Sequence, residues 1–192
     1  MYHNIVKTFP PYYLITPEPT DPTRFFQSLS HVLASGIRLI QFRAKSLSDE
    51  IYQDYARQVL DLCQEAGVIC LLNCAPTVAR QLGSQGIHLN SSRLHEQQKP
   101  LQGFTQVSAA CHTIADLQQA ARIQTDFVVL GPVLVTASHP DTLPMGWATF
   151  TQLIQQTHCP VYALGGLQKT DLTTAQQAGA VGIAAIRSLW QL

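Results

Sequence analysis

Gln41, Arg43 and Lys45 stand at alternate positions of the stretch IQFRAK, at the end of one of the most apolar runs in the chain. An extended strand sends alternate side chains to one face, so an amide and two cations point together. That is the composition of an anion site. His112 follows the run TQVSAAC and is the side chain type suited to moving protons near neutral pH. Thr136, Ser138 and His139 crowd the segment GPVLVTASHP, where an imidazole and hydroxyls can meet an anion. Asn73 ends the run VICLL, and Gly165-Gly166 ends PVYAL. A glycine pair lets backbone approach a ligand closely, although a tight turn is the simpler use for it.

Other reactive side chains have plainer readings. His88, inside GIHL, reads as a packed histidine. Asp116 lies one turn beyond His112 and reads as a carboxylate at a helix N-terminus, so no dyad is assigned. The five cysteines, Cys63, Cys70, Cys74, Cys111 and Cys159, are odd in number and form no repeated CxxC. Cys70, Cys74 and His88 can be drawn as a zinc site, but buried thiols in a reducing cytoplasm are the simpler expectation.

These groups need a scaffold. The chain has 192 residues, a net charge of zero and 46% hydrophobic residues, enough for one sizeable core and a single domain over 1–192. The charge balance argues against nucleic acid or an anionic membrane surface as partner, since both call for a basic face. No run reaches the ~18 apolar residues of a membrane span. The first residues carry one lysine and no long apolar core, so no signal peptide is read there and a cytoplasmic location is expected.

Eight β-branched or apolar runs recur, at 12–16, 37–42, 68–72, 86–89, 105–109, 127–131, 160–164 and 182–186. Most are continuous, as in parallel strands covered on both faces. Helix signals lie between them. Asp21 and Pro22 open one helix that stops at Gly36; Ser48 opens another that stops at Gly67. Helical segments follow at TIADLQQAARI and QKTDLTTAQQAG, and Gly86 and Gly182 read as the same helix-cap-then-strand device. An open doubly wound sheet and a closed barrel both fit this alternation. The missing G-x-G-x-x-G after the first strand favours a (β/α)8 TIM barrel, a short one with a truncated last helix. In such a barrel the strand C-termini form the active face, and phosphate sites commonly use the loops after strands seven and eight. That assigns a phosphate to Gly165-Gly166 and to Ile186-Arg187.

These stretches together resemble the thiamine phosphate synthase/TenI superfamily over nearly the whole chain. The family's QLREK resembles Gln41-Phe42-Arg43-Ala44-Lys45, and its GVHLGQED resembles Gly86-Ile87-His88-Leu89 before diverging. Its GPxxPTxTK resembles the segment from Gly131 to His139, and its GGI resembles Gly165-Gly166-Leu167. The resemblance is nearer to the thiamine-synthase-like domain fused behind a Nudix hydrolase, through Arg43-Ala44-Lys45, Ala110-Cys111-His112, Thr136-Ala137-Ser138-His139-Pro140 and Tyr162-Ala163-Leu164-Gly165-Gly166. It implies a barrel of thiamine metabolism that takes a small phosphorylated thiazole or thiamine-related ligand. A Nudix hydrolase partner and a homo-oligomer are further expectations.

For the synthase, the resemblance implies joining of a hydroxymethylpyrimidine diphosphate to a thiazole phosphate with Mg²⁺. Gln41, Arg43 and Lys45 would then lie on the diphosphate side and Gly165, Gly166, Ile186 and Arg187 on the thiazole phosphate. Four positions depart from it. Cys74 replaces the Asp of an Asn-Asp pair, Arg93 a metal-binding Asp, Ala110 a serine and His139 a lysine. All four fall on the diphosphate and metal half, and Mg²⁺ wants hard oxygen ligands. The expectation is therefore a TenI-like, thiazole tautomerase-like enzyme with His112 catalytic and no cofactor. The alternatives are a Mg²⁺-dependent thiamine phosphate synthase and a non-catalytic binding module.

Overall fold

The computed structural model describes residues 8–136 and 143–190. Eight parallel strands pair in sequence order and close on themselves, β8 returning to β1 with Tyr12 beside Ile183. The strands are β1 (Tyr12–Ile15), β2 (Leu39–Phe42), β3 (Ile69–Leu72), β4 (Gly86–Leu89), β5 (Gln106–Cys111), β6 (Phe127–Leu130), β7 (Val161–Leu164) and β8 (Gly182–Ala185). The helices are α1 (Pro22–Ala34), α2 (Asp49–Glu65), α3 (Pro76–Gln81), α4 (Ser91–Glu96), α5 (Ile114–Arg122), α6 (Gly146–Ile154), α7 (Leu172–Gln177) and α8 (Arg187–Trp190). The expected TIM barrel is the observed one, and its last helix is indeed short. None of the helices is long and apolar enough to cross a membrane, among the described residues.

Local signals set the longer helices. Asp21 accepts the amide of Arg24, Ser48 that of Ile51, and Thr113 with Asp116 closes a reciprocal cap at α5. Helices α3, α4 and α6 are not evident in the sequence; α3 and α6 start at Ala75 and Met145 with no side-chain cap hydrogen bond, so the usual start signal is missing there.

Alternation divides each strand between two cores. Leu14, Ile40, Phe42, Leu72 and Ile87 face outward to the helices. Tyr13, Leu39, Leu71, Phe127 and Tyr162 fill the interior. Cys70 and Cys74 belong to the outer layer, while His88 lines the interior cavity. The strand wall between them removes the zinc drawing, and no group of three metal-ligating side chains occurs among the described residues.

The lower barrel is plugged by aromatic rings. Tyr13 meets Phe127 edge-on at 5.2 Å between centroids and Tyr162 at 5.6 Å, and Phe9 caps Phe127 from the N-terminal end at 5.6 Å. Above this plug sit the buried polar side chains Gln41, His88 and Ser108.

Two glycines were misread. Gly86 and Gly182 are not helix caps; Gly83 and Gly179, with φ of +69° and +98°, fill that conformation. Gly86 and Gly182 are instead small because strands pass too close. A Cβ at Gly182 would lie 2.2 Å from the Pro11 carbonyl oxygen. Gly182→Ala should therefore lower stability by about 2 kcal/mol or more, read by chemical denaturation. A loss of only a few tenths would show that the Pro11 segment moves aside freely.

Candidate functional site

A cavity of about 430 Å³ opens at the C-terminal ends of the strands. Gln41, Arg43 and Lys45 line it from β2, Asn73 from β3, and His112 from the end of β5. Thr136 reaches it from the β6 loop, Gly165 and Gly166 from the β7 loop, and Ile186 and Arg187 from the β8 end. The structure thus brings to one cavity the described residues that the sequence assigned to catalysis or ligand binding, whereas Cys74, Arg93 and Asp116 do not line it. Ser138 and His139 lie outside the described residues. His88, Asn90, Ser91 and Ser188 also line the cavity and were not assigned to it.

The glycine pair has the expected freedom and a further cause. Gly165 and Gly166 have φ of +107° and +70°, and a Cβ on them would lie 2.6 Å from Pro132 Cα and 2.3 Å from the Val135 oxygen. The carbonyls of Leu164 and Gly165 accept the amides of Val133 and Leu134 at 2.8 and 3.0 Å. This bare, pinned backbone lines the same cavity as Arg187, and Ser188 Oγ ties α8 to the Leu167 carbonyl at 2.8 Å. Such a corner suits a phosphate: small backbone, ordered amides and a guanidinium.

The β2 end already holds an anion. Glu18, in the loop after β1, accepts Arg43 Nη1 at 3.2 Å, the Lys45 amide at 3.0 Å, the Ser46 amide at 3.1 Å and Ser46 Oγ at 2.8 Å. Burial alone would raise its pKa, but these donors outweigh it and hold the carboxylate below its usual range. Thr16 Oγ1 locks Arg43 as well, accepting its amide at 3.0 Å and donating to its carbonyl at 3.1 Å. The Arg43 charge beside it, and then burial, depress the Lys45 ammonium pKa, with Glu18 opposing. The cradle is thus built around an internal carboxylate that neutralises part of its charge.

His112 is held equally firmly. Its Nδ1 lies 2.6 Å from the Gly131 carbonyl oxygen. A carbonyl only accepts, so Nδ1 carries a proton, and in the neutral ring the lone pair is then on Nε2. The His112 backbone amide donates to Asp116 Oδ2 at 2.8 Å, and the Thr113 amide and hydroxyl reach the same oxygen at 3.0 Å each. The other oxygen, Oδ1, faces His95 Nε2 at 2.7 Å and Ser91 Oγ at 3.3 Å. Asp116 is the expected helix-terminal carboxylate, and it also fixes the chain at His112 and pins α4 to α5. His95 gave no sequence signal, because its partner lies 21 residues away across a helix pair.

The metal half is different in kind. No carboxylate lines the cavity among the described residues. Cys74 points to the outer core, where burial raises its thiol pKa and keeps it protonated. Arg93 Nη1 donates to Asn73 Oδ1 at 2.8 Å, placing a cation at the strand-four position. A protonated thiol and a guanidinium are not ligands for Mg²⁺. The residues present do not fit that ion.

The family model described as thiamine monophosphate synthase matches residues 12–189. The chain belongs to this thiamine monophosphate synthase/TenI family. It is 29% identical over 183 residues to a putative thiamine-phosphate synthase 2 of Aquifex aeolicus, covering 92% of this chain and 96% of that one. It is 28% identical over 184 residues to a thiamine-phosphate synthase of Alcanivorax borkumensis, covering 93% and 84%. Against the thiamine-phosphate synthase of Synechococcus, at 29% identity over 168 residues, it covers 86% of its own length but spans only 48% of the relative. Among solved structures, thiamine phosphate pyrophosphorylase of Pyrococcus furiosus superposes with a TM-score of 0.75 at 19% identity, covering 93% and 89%. That likeness shows the barrel of the family.

The Asp116 bonds make a stability statement. Burial would raise its pKa, but the donors from His95, His112 and Thr113 keep it below the usual carboxylate range. A depressed folded pKa means stability that is present above the unfolded carboxylate range and lost as pH falls through the folded value. Asp116→Asn should cost about 1–3 kcal/mol at pH 7 and flatten the acid limb of a stability-against-pH curve. An unaltered acid limb would remove Asp116 from this role.

Proposed function

We propose that this family member binds a phosphorylated thiazole of thiamine metabolism and moves a proton on it, with His112 as acid-base and without a metal. The observation that carries the reading is the 2.6 Å contact between His112 Nδ1 and the Gly131 carbonyl. It leaves Nε2 as a basic lone pair on a residue lining a cavity that no described carboxylate lines. The ligand phosphate sits on Gly165-Gly166 beside Arg187, and the ring reaches across the mouth toward β5. There Nε2 takes a proton from one ring position and returns it at another, so the product has the atoms and charge of the substrate. Arg43, Lys45 and Asn73 border the opposite side, where a second anionic group of the ligand meets positive charge.

Positioned acid-base catalysis is typically worth ~10²–10⁴-fold. His112→Ala and His112→Asn should lose tautomerase activity on that order while thiazole phosphate affinity, measured by calorimetry, changes little. Full activity in the alanine variant would end the assignment of His112.

The second reading is thiamine phosphate formation from the pyrimidine diphosphate. The names of the Aquifex and Alcanivorax relatives favour it, as does the retained Gln41, Arg43 and Lys45 trio. The readings part on metal. Proton transfer by His112 should proceed unchanged in excess chelator, whereas diphosphate loss would be expected to need Mg²⁺. Steady thiamine phosphate formation that stops on chelation would replace the first reading with the second.

A further inference from the structure

A hydrogen-bond chain runs from the cavity rim into the barrel interior. Arg93 Nη1 donates to Asn73 Oδ1 at 2.8 Å. A guanidinium has donors only, so the direction of this first bond admits no choice. Asn73 must then turn its Nδ2 away, and it donates to Gln41 Oε1 at 2.9 Å. Gln41 in turn donates from Nε2 to Tyr13 Oη at 3.1 Å. The Tyr13 hydroxyl, fully buried, accepts there and has its own proton to place.

Where that proton goes decides the state of His88. Tyr13 Oη lies 3.5 Å from His88 Nδ1, and Ser108 Oγ lies 2.7 Å from the same nitrogen. Ser108, also fully buried, hydrogen-bonds the Tyr13 hydroxyl as well. The Tyr13 proton is therefore placed on Ser108 Oγ, and the Ser108 proton is aimed at the one lone pair of Nδ1. If Nδ1 carried a proton as well, it would take the Ser108 oxygen as acceptor and strand a hydroxyl proton in a sealed interior, an arrangement that folded proteins avoid. With Nδ1 as acceptor the protons are placed, and the ring proton resides on Nε2.

That second nitrogen faces the ligand space. His88 lines the cavity although only 3% exposed. Its Nε2 has no protein partner among the described residues, where the one polar side-chain atom both sealed and unpaired is Tyr52 Oη. Nε2 must therefore open on the cavity rather than on the wall.

We infer that Arg93 sets the polarity of this chain and thereby makes His88 a hydrogen-bond donor, through Nε2–H, on the cavity floor. His112, on the neighbouring strand, has the opposite arrangement, with Nδ1 donating and Nε2 open as a base. One histidine offers a proton to hydrogen-bond and the other offers a lone pair. A ligand that suits both carries an acceptor atom, such as a ring nitrogen or a carboxylate oxygen, beside an acidic hydrogen. Burial, followed by the charges of Arg93 and Arg43, lowers the His88 pKa to about 3, so the ring stays uncharged across the neutral range and donates without titrating. The inference deepens the proton-transfer reading and rests on it only for the kind of ligand; the tautomer is a property of the free protein.

Long-range proton–nitrogen NMR correlation on ¹⁵N-labelled protein tests it, with the His88 signals assigned by their loss in His88→Gln. The wild-type ring should carry its proton on Nε2 and keep that pattern from pH 8 to pH 5. Arg93→Lys, still donor-only, should retain it. Arg93→Glu offers an acceptor instead, so Asn73 and Gln41 turn over, Tyr13 donates backward and the His88 population moves toward Nδ1–H. Asn73→Asp, nearly isosteric, reverses the chain from its own position and serves if Arg93→Glu does not fold. A wild-type ring protonated at Nδ1, or an unchanged tautomer in the reversing variants, overturns the inference. Failure of thiazole phosphate to bind counts against the proposed function and leaves the tautomer result standing.

Discussion

Closing eight parallel strands into a barrel forces every second side chain into one narrow interior and leaves the sheet without an edge. That constraint ranks the strand positions. Below, the volume is filled by Tyr13, Phe127 and Tyr162 at aromatic contact distances. Above, the interior positions pass to Gln41, His88 and Ser108, which are too deep for water and so must satisfy one another. At the rim the same alternation delivers Arg43, Asn73 and His112 to the mouth. The cavity is what remains when a packed interior runs out of bulky residues, and its polar lining is the continuation of the strands' inward stripe.

Two buried or half-buried carboxylates do the organising at the rim, and neither lines the cavity. Glu18 gathers the turn after β2 by accepting from Arg43, Lys45 and Ser46. Asp116 gathers the turn after β5 by accepting from His112, Thr113 and His95. Each spends its charge on backbone and side-chain donors of a loop that must hold still, so the described groups lining the cavity are cationic or neutral. A site so arranged attracts anions by its lining and keeps its shape by the carboxylates behind it.

Much of this was legible in the sequence, because period and order survive in one dimension. The eight apolar runs, the caps at Asp21 and Ser48, and the alternation of Gln41, Arg43 and Lys45 all translated directly. Glu18 was not legible: it lies 25 residues before Arg43, and only the β1–β2 pairing brings them together. Gly86 and Gly182 looked like caps because a glycine before a strand is ambiguous until the neighbouring strand is seen at 2.5 or 2.2 Å from the missing Cβ. His88 was read as packed, and it is buried and hydrogen-bonded. What the sequence could not say is that one of its two nitrogens faces a wall and the other a space.

The aromatic plug has a consequence for traffic. With Phe9 seated under Phe127 and the Tyr162 hydroxyl donating to the Pro10 carbonyl at 2.6 Å, the lower end of the barrel is stoppered by the segment that leads into β1. The chamber is a cul-de-sac. Among the described residues the cavity opens at the strand C-termini, so whatever enters displaces water past itself, and one ligand must back out before another can dock. Exchange of one ligand for another in such a chamber runs in single file.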